Sequence, residues 1–168
     1  MAQENVFRLV SADIASGQPI AKKFSYNGFG NDGQNLSPAM IWSGAPAGTR
    51  SFALLMHDPD APTGGGGWWH WLVVDIPATV DSLPQGAGTT GRPGLPTGAR
   101  QVTNDYGEAS WGGPCPPVGD PPHRYNFTVY ALDVAQLDLP PNPTAGLTGF
   151  MVNAHALAKA SFMGTYAR

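Results

Sequence analysis

A mainly β fold is predicted by three features of the sequence. Short apolar runs separated by clusters of Gly, Pro, Asn and Asp recur from the N-terminus to about Asp138, the pattern of strands joined by turns. Gly and Pro number 22 and 17 among 168 residues, roughly twice ordinary usage. Five Trp, five Tyr and seven Phe require burial, and 42% hydrophobic against 12% charged residues excludes a disordered chain. The length fits one domain, spanning residues 1–168, around one core.

Taken in order, strands are expected over 6–14, 39–42, 51–57, 70–76 and 124–132. The runs SFALLMH and HWLVVDI are almost continuously apolar, which suits strands buried on both faces at the centre of a sheet. The other three alternate and are expected to be half exposed. After Asn142-Pro143 the pattern changes: Leu147, Phe150, Met151, Ala154 and Ala158 fall at helical spacing and define the expected buried face of a helix. Asn142 is the expected cap, Pro143 suits a first turn where no N–H is needed, and Gly146 and Gly149 weaken the helix by about 1 kcal/mol each. The tail SFMGTY is β-branched and aromatic enough to return as a short strand. Two turn-rich stretches, 85–98 and 110–122, are long for a compact domain; prolines hold the second to one extended course, which makes it the better candidate for part of a site.

Nine Lys plus Arg against twelve Asp plus Glu give a charge of -3, which disfavours a phosphate-tracking surface, and nucleic acid is not the expected main partner. The single cysteine, Cys115, allows neither an internal disulfide nor a cysteine-based zinc cluster. The N-terminus MAQENVFRLVSADI lacks a basic segment followed by an apolar run, and nowhere do eighteen apolar residues occur together. A cytoplasmic chain without an integral membrane segment is expected.

The run Asp58-Pro59-Asp60-Ala61-Pro62 leaves a buried strand directly, with proline stiffening the exit. Its two carboxylates either cap turns or present a fixed charge to a cavity. His70 follows within Trp68-Trp69-His70-Trp71, and Gly64 to Gly67 permits a tight hairpin that sets it beside the acidic turn. A core histidine with one satisfied nitrogen is the plain alternative. His123 opens the strand after the Pro-rich loop; if that strand runs antiparallel to 51–57, His123 approaches Asp58. Gly64 to Gly67 lacks the Gly-Lys-Ser/Thr of a nucleotide loop. Cys115 is read as a small buried thiol, His155 as a packing residue, and His57 as a buried neighbour of the acidic turn.

In order and spacing, Asn35-Leu36-Ser37-Pro38-Ala39-Met40-Ile41-Trp42, Asp58-Pro59-Asp60-Ala61-Pro62, His70-Trp71-Leu72-Val73-Val74, Gly112-Gly113-Pro114-Cys115-Pro116-Pro117 and His123-Arg124-Tyr125 resemble the phosphatidylethanolamine-binding protein family. The short Asp58 to His70 interval is closest to its bacterial and archaeal, Raf kinase inhibitor-like branch. The resemblance implies a large antiparallel sheet packed on a smaller one in a β-sandwich-like arrangement, with one or two helices and a small anion pocket at one edge. By motif, Asp58, Asp60, His70, Pro116, Pro117, His123 and Tyr125 would line or support that pocket.

The expected function is therefore that of a non-enzymatic binding protein, without cofactor or metal, taking a small phosphate- or carboxylate-bearing group such as a phosphoethanolamine-like head group. Asp58 would orient His70 or His123, and the histidines would donate to the anion. The rival is a hydrolase using Asp58 and His70 as an acid–base pair on a phosphoester or peptide. Expected partners beyond the ligand are a kinase or protease met through the 85–98 loop, and a second copy of the chain, favoured by the low charge.

Overall fold

The computed structural model describes residues 6–92 and 94–168; Pro93 of the first glycine-rich loop and the first five residues of the N-terminal segment lie outside the described residues. Among the described residues the order is β1 (Arg8–Val10), a 3-10 turn (Lys22–Phe24), β2 (Met40–Ser43), β3 (Ser51–Asp58), β4 (Trp68–Pro77), β5 (Ser82–Leu83), β6 (Arg100–Gln101), β7 (His123–Leu132), α1 (Ala145–His155) and β8 (Ala156–Tyr166). A five-stranded antiparallel sheet, β6-β4-β3-β7-β8, packs on a three-stranded one, β1-β2-β5.

The two continuously apolar runs form the middle of the large sheet, and alternation divides their side chains between two buried layers. Phe52, Leu54 and Met56 of β3 join Trp71, Val73, Phe127 and Val129 against Met40 and Trp42 of the small sheet. Ala53 and Leu55 join Leu72, Val74, Tyr130 and Leu132 beneath α1. On β4, Val73 and Ile76 face the same layer although three residues apart. A register shift opposite Phe52/Leu54 and a positive φ of 56° at Asp75 accommodate the extra residue. Asp75 then accepts the Leu137 amide at 2.9 Å.

Several expected elements end differently. The first strand stops at Val10, because the chain after it is fastened by side chains rather than by a ladder: Ser11 Oγ donates to Ala39 O at 2.5 Å, and Asp13 Oδ2 accepts the Ala39 amide at 2.7 Å. Thr144, not Asn142, caps α1, its hydroxyl accepting the Leu147 amide at 3.0 Å, so Pro143 precedes the helix. The helix also buries a different face. Ala145, Thr148, Gly149 and Val152 pack inward, whereas Leu147 and Phe150 are exposed, Phe150 at 70%. That face packs on the Trp69 ring, which would lie in ordinary contact, 3.6 Å, from a Cβ at Gly149. The tail is not short: β8 begins at Ala156, runs eleven residues, includes Ala158, and pairs along β7 from Leu132 to His123.

The 85–98 loop, expected as a partner surface, begins as a support of the core. Gly88 N–H donates to Ser37 Oγ at 2.9 Å, Gly88 O accepts the Trp111 amide at 2.8 Å, and a Cβ at Gly88 would meet the Trp71 indole at 2.5 Å. His155 does more than pack, since its Nδ1 lies 2.8 Å from Asp133 Oδ1 and ties the end of α1 to the end of β7.

Candidate functional site

Antiparallel pairing places the end of β3, the start of β4 and the start of β7 at one end of the large sheet. Asp58, His70 and His123 occupy those positions and line a cavity of about 250 Å3. Tyr125, two residues along β7 from His123, shares its face, and Pro116 and Pro117 close one side. Trp68, Tyr106, Phe29, Ala61 and Pro62 supply most of the apolar wall. Asp60 is not among the lining residues. Its carboxylate clasps Arg124 instead, accepting from the guanidinium at 2.8 and 3.0 Å and from the Arg124 amide at 2.8 Å. The Arg124 hydrogen bonds hold its carboxyl down at about 2, so Asp60 locks the acidic turn to β7.

The two histidines are held in opposite states. His123 Nδ1 lies 2.7 Å from Asp58 Oδ2 and Nε2 lies 2.9 Å from Asp120 Oδ2, while Asp58 Oδ1 accepts the Asp60 amide at 2.8 Å. Carboxylate oxygens only accept, so both ring nitrogens carry a proton in this arrangement and the ring is an imidazolium; burial opposes that charge, but the hydrogen bonds and attraction of Asp58 and Asp120 outweigh it and raise the pKa. His70 is buried and lies 2.7 Å through Nδ1 from Gly112 O. Burial lowers its pKa to about 4 against the opposing pull of the Gly112 carbonyl. A carbonyl only accepts, so the neutral ring carries its proton on Nδ1 and offers Nε2 as an acceptor. His70 thus drops out of the expected donors, and Asp58 orients His123, not His70.

This assignment predicts an acid limb in stability. A folded-state pKa below the unfolded value of about 6.5 means the unfolded chain binds the proton first, so stability is full above ~6.5 and lost as pH falls toward ~4, by about 3 kcal/mol. Asp60 is lost only below that window, between ~4 and ~2. Urea melts across this range should flatten between ~6.5 and ~4 in His70→Gln; an unchanged limb would assign it to other groups.

The loop carrying Pro116 and Pro117 is fastened by a buried polar frame in which Asn35, from one of the family motifs, joins Asn104 and Tyr106, to which the sequence reading gave no role. Asn35, at a φ of 51°, accepts the Gly113 amide at 2.7 Å and donates to Trp111 O at 3.3 Å. Asn104 Nδ2 donates to His70 O and Ser110 O at 3.1 and 3.0 Å, and Oδ1 accepts the Tyr106 and Glu108 amides. Tyr106 then donates to Gly113 O at 2.9 Å and stacks on Tyr26 with centroids 4.0 Å apart. Gly113 is required because a Cβ would overlap the Phe24 carbonyl. At the rim, Arg168 Nε donates to Pro116 O at 2.6 Å and Arg168 O accepts the Gly119 amide at 3.3 Å. The turn signals Asn104-Asp105-Tyr106-Gly107 and Gly119-Asp120-Pro121 mark two of these positions in the sequence, though not their role.

Cys115, expected as a buried thiol, is partly exposed and lines the cavity; burial raises its pKa, and Sγ approaches Gly28 O at 3.7 Å. His57 points elsewhere, bonding Gly66 O at 2.7 Å against the Trp69 ring. Among the described residues, two polar atoms of the cavity wall have no hydrogen-bond partner: the Tyr125 hydroxyl and the Trp68 indole N–H. Among the described residues, no group of three or more His, Cys, Asp and Glu is placed to hold a metal ion, and no helix is long and apolar enough to cross a membrane.

Comparison with known proteins follows the same fold and motifs. The chain is 47% identical to the UPF0098 protein YbcL of Escherichia coli (strain K12), over 98% of this chain and 90% of that protein. It is 43% identical to YbhB of the same organism, over 95% and 99%. The crystal structure of E. coli YbcL, described as a new member of the mammalian PEBP family, superposes with a TM-score of 0.93 over 96% of this chain and 98% of that one. A relative from Mycobacterium tuberculosis (strain H37Rv), 37% identical over 94% of this chain and 71% of its own length, is named a putative lipoprotein, LppC. The profile of the phosphatidylethanolamine-binding protein family matches residues 10–167, and with the two-sheet fold and these relatives it establishes that the chain belongs to that family.

Proposed function

We infer that the cavity binds a small phosphate- or carboxylate-bearing group, a phosphoethanolamine-like head group being the best chemical fit, and that the protein acts by binding rather than turnover. Family membership supports a binding protein at the general level. The observation that carries the finer reading is the juxtaposition of the His123 imidazolium, the one cation among the lining groups, with the unpartnered Tyr125 hydroxyl. An oxyanion entering there satisfies a buried donor that otherwise stays unmade, and aromatic walls exclude the water that would compete. A ligand that also carries an ammonium finds acceptors in His70 Nε2 and the Asp58 carboxylate. What supports the binding reading over the hydrolase is that Asp58 hydrogen-bonds His123 while His70 hydrogen-bonds Gly112 O, so the two are not joined as the acid–base pair that the hydrolase needs.

The test is an NMR titration with inorganic phosphate, phosphoethanolamine and acetate. Saturable shifts should appear at Asp58, His70, Cys115 and His123, and His123→Ala should weaken phosphate by about tenfold or more, because it removes the one cation among the lining groups and leaves the Asp58 and Asp120 carboxylates uncompensated. Affinity unchanged in His123→Ala would overturn the assignment. Multiple-turnover release from a phosphoester or peptide panel, lost in the same variant, would replace it with the hydrolase.

A further inference from the structure

The two carboxylates on His123 are held very differently. An imidazolium has two N–H donors, and here both are spent, Nδ1 on Asp58 at 2.7 Å and Nε2 on Asp120 at 2.9 Å. Asp58 is 3% exposed, ends a central strand, and receives the Asp60 amide on its other oxygen. Asp120 is 37% exposed and sits on the turn from Pro117, whose carbonyl accepts its amide at 3.2 Å. Among the described residues, its carboxylate has no hydrogen-bond partner besides His123. The backbone beneath it is anchored through Arg168, which holds Pro116 O and the Gly119 amide. The side chain can therefore leave His123 by rotating about its own bonds, without moving the loop.

We propose that Asp120 is an intramolecular competitor for the ligand: a small oxyanion gains His123 Nε2 by displacing the Asp120 carboxylate into solvent. The proposal rests on the anion reading above and adds the residue that sets its affinity. The exchange replaces one charge-assisted hydrogen bond by another, so it is nearly neutral on that bond alone. The net gain comes from what the ligand makes and Asp120 does not, beginning with the Tyr125 hydroxyl, which has no partner while Asp120 is in place. A ligand whose single contact is His123 gains nothing over the protein's own carboxylate. Asp120 thereby filters for groups that reach across the cavity.

Inorganic phosphate titrated by NMR into the wild type and Asp120→Ala, near neutral pH, tests this; Asp120→Asn serves if the alanine variant does not keep the wild-type amide spectrum. Phosphate affinity should rise about five- to tenfold, the effect of removing one charge at close range. Without phosphate, the His123 imidazole should titrate at lower pH than in the wild type, one of its two carboxylates being gone. Unchanged or weaker phosphate affinity in the variant, with the wild type binding, overturns the competitor role and leaves the anion reading standing. An unchanged His123 titration overturns it too, because the contact then has no weight in solution. Phosphate bound by neither protein removes the anion reading, and the competitor with it.

Discussion

Replacing Asp58 by alanine is expected to lower stability by about 3–5 kcal/mol, the range for removing one partner of a buried ion pair. That is a large share of the ~5–15 kcal/mol that holds a domain together. The side chains of Asp58 and His123 are 3% and 4% exposed, so the substitution strands a buried imidazolium with Asp120 alone and leaves the Asp60 amide without its acceptor. Asp58→Asn keeps an acceptor for that amide and should lose less. The pH profile supplies a second check. Because the folded-state pKa of His123 is raised, its contribution is fully present below the unfolded value of about 6.5 and is lost as pH rises through the folded value. In Asp58→Ala that decline should still begin near ~6.5 but end at lower pH, with a smaller total loss. Urea denaturation on both sides of ~6.5 measures both effects; a loss under ~1 kcal/mol would mean that the pair contributes like an exposed one.

Trp111→Ala should cost about 3–5 kcal/mol as well, through a different mechanism, the cavity left by a large buried aromatic. The Trp111 side chain is fully buried, crosses Trp71 edge-on at 5.4 Å, stacks over Phe127 at 6.1 Å, and donates its indole N–H to Phe24 O at 3.1 Å. Its backbone sits one residue before Gly112, whose carbonyl fixes the tautomer of His70. The substitution therefore reaches the cavity: phosphate affinity should fall with stability, whereas Trp111→Phe, which keeps a ring but loses the indole bond, should cost about 1 kcal/mol beyond its lost volume. A thermal midpoint lowered by on the order of 10 °C in Trp111→Ala is the expected readout, and a shift of only ~2 °C would show that the loop is held by Asn35 and Asn104 without it.

The motifs of the site were legible because the chemistry is concentrated at strand ends, where apolar runs stop and polar residues start. Asp58, His70 and His123 each mark such a boundary, and antiparallel pairing brought all three to one end of the sheet. Asp60 shows the limit of that signal. It shares the acidic turn with Asp58, yet the turn directs it at Arg124 and away from the cavity. Tyr106 and Asp120 carry no pattern that separates them from ordinary turn residues, and Asn35 and Trp68, though they fall within singled-out runs, carry none that gives their role. Their roles come from contacts with segments far along the chain, such as Asn35 with Gly113 and Tyr106 with Tyr26.

What the sequence determined by itself is the mainly β class, the two central strands and the family motifs, since continuous apolar runs and Gly/Pro punctuation act locally and leave few alternatives. The tertiary structure alone decided which face of α1 is buried, because hydrophobicity favoured Leu147 and Phe150 while the packed helix turned Ala145, Thr148, Gly149 and Val152 inward. It alone decided the length of β8, whose alternating small residues become a strand by pairing with β7. It also decided the charge of each histidine. An imidazole near its reference pKa takes either state for a few kcal/mol; burial against a carbonyl made His70 neutral, and two carboxylates from separate segments kept His123 charged.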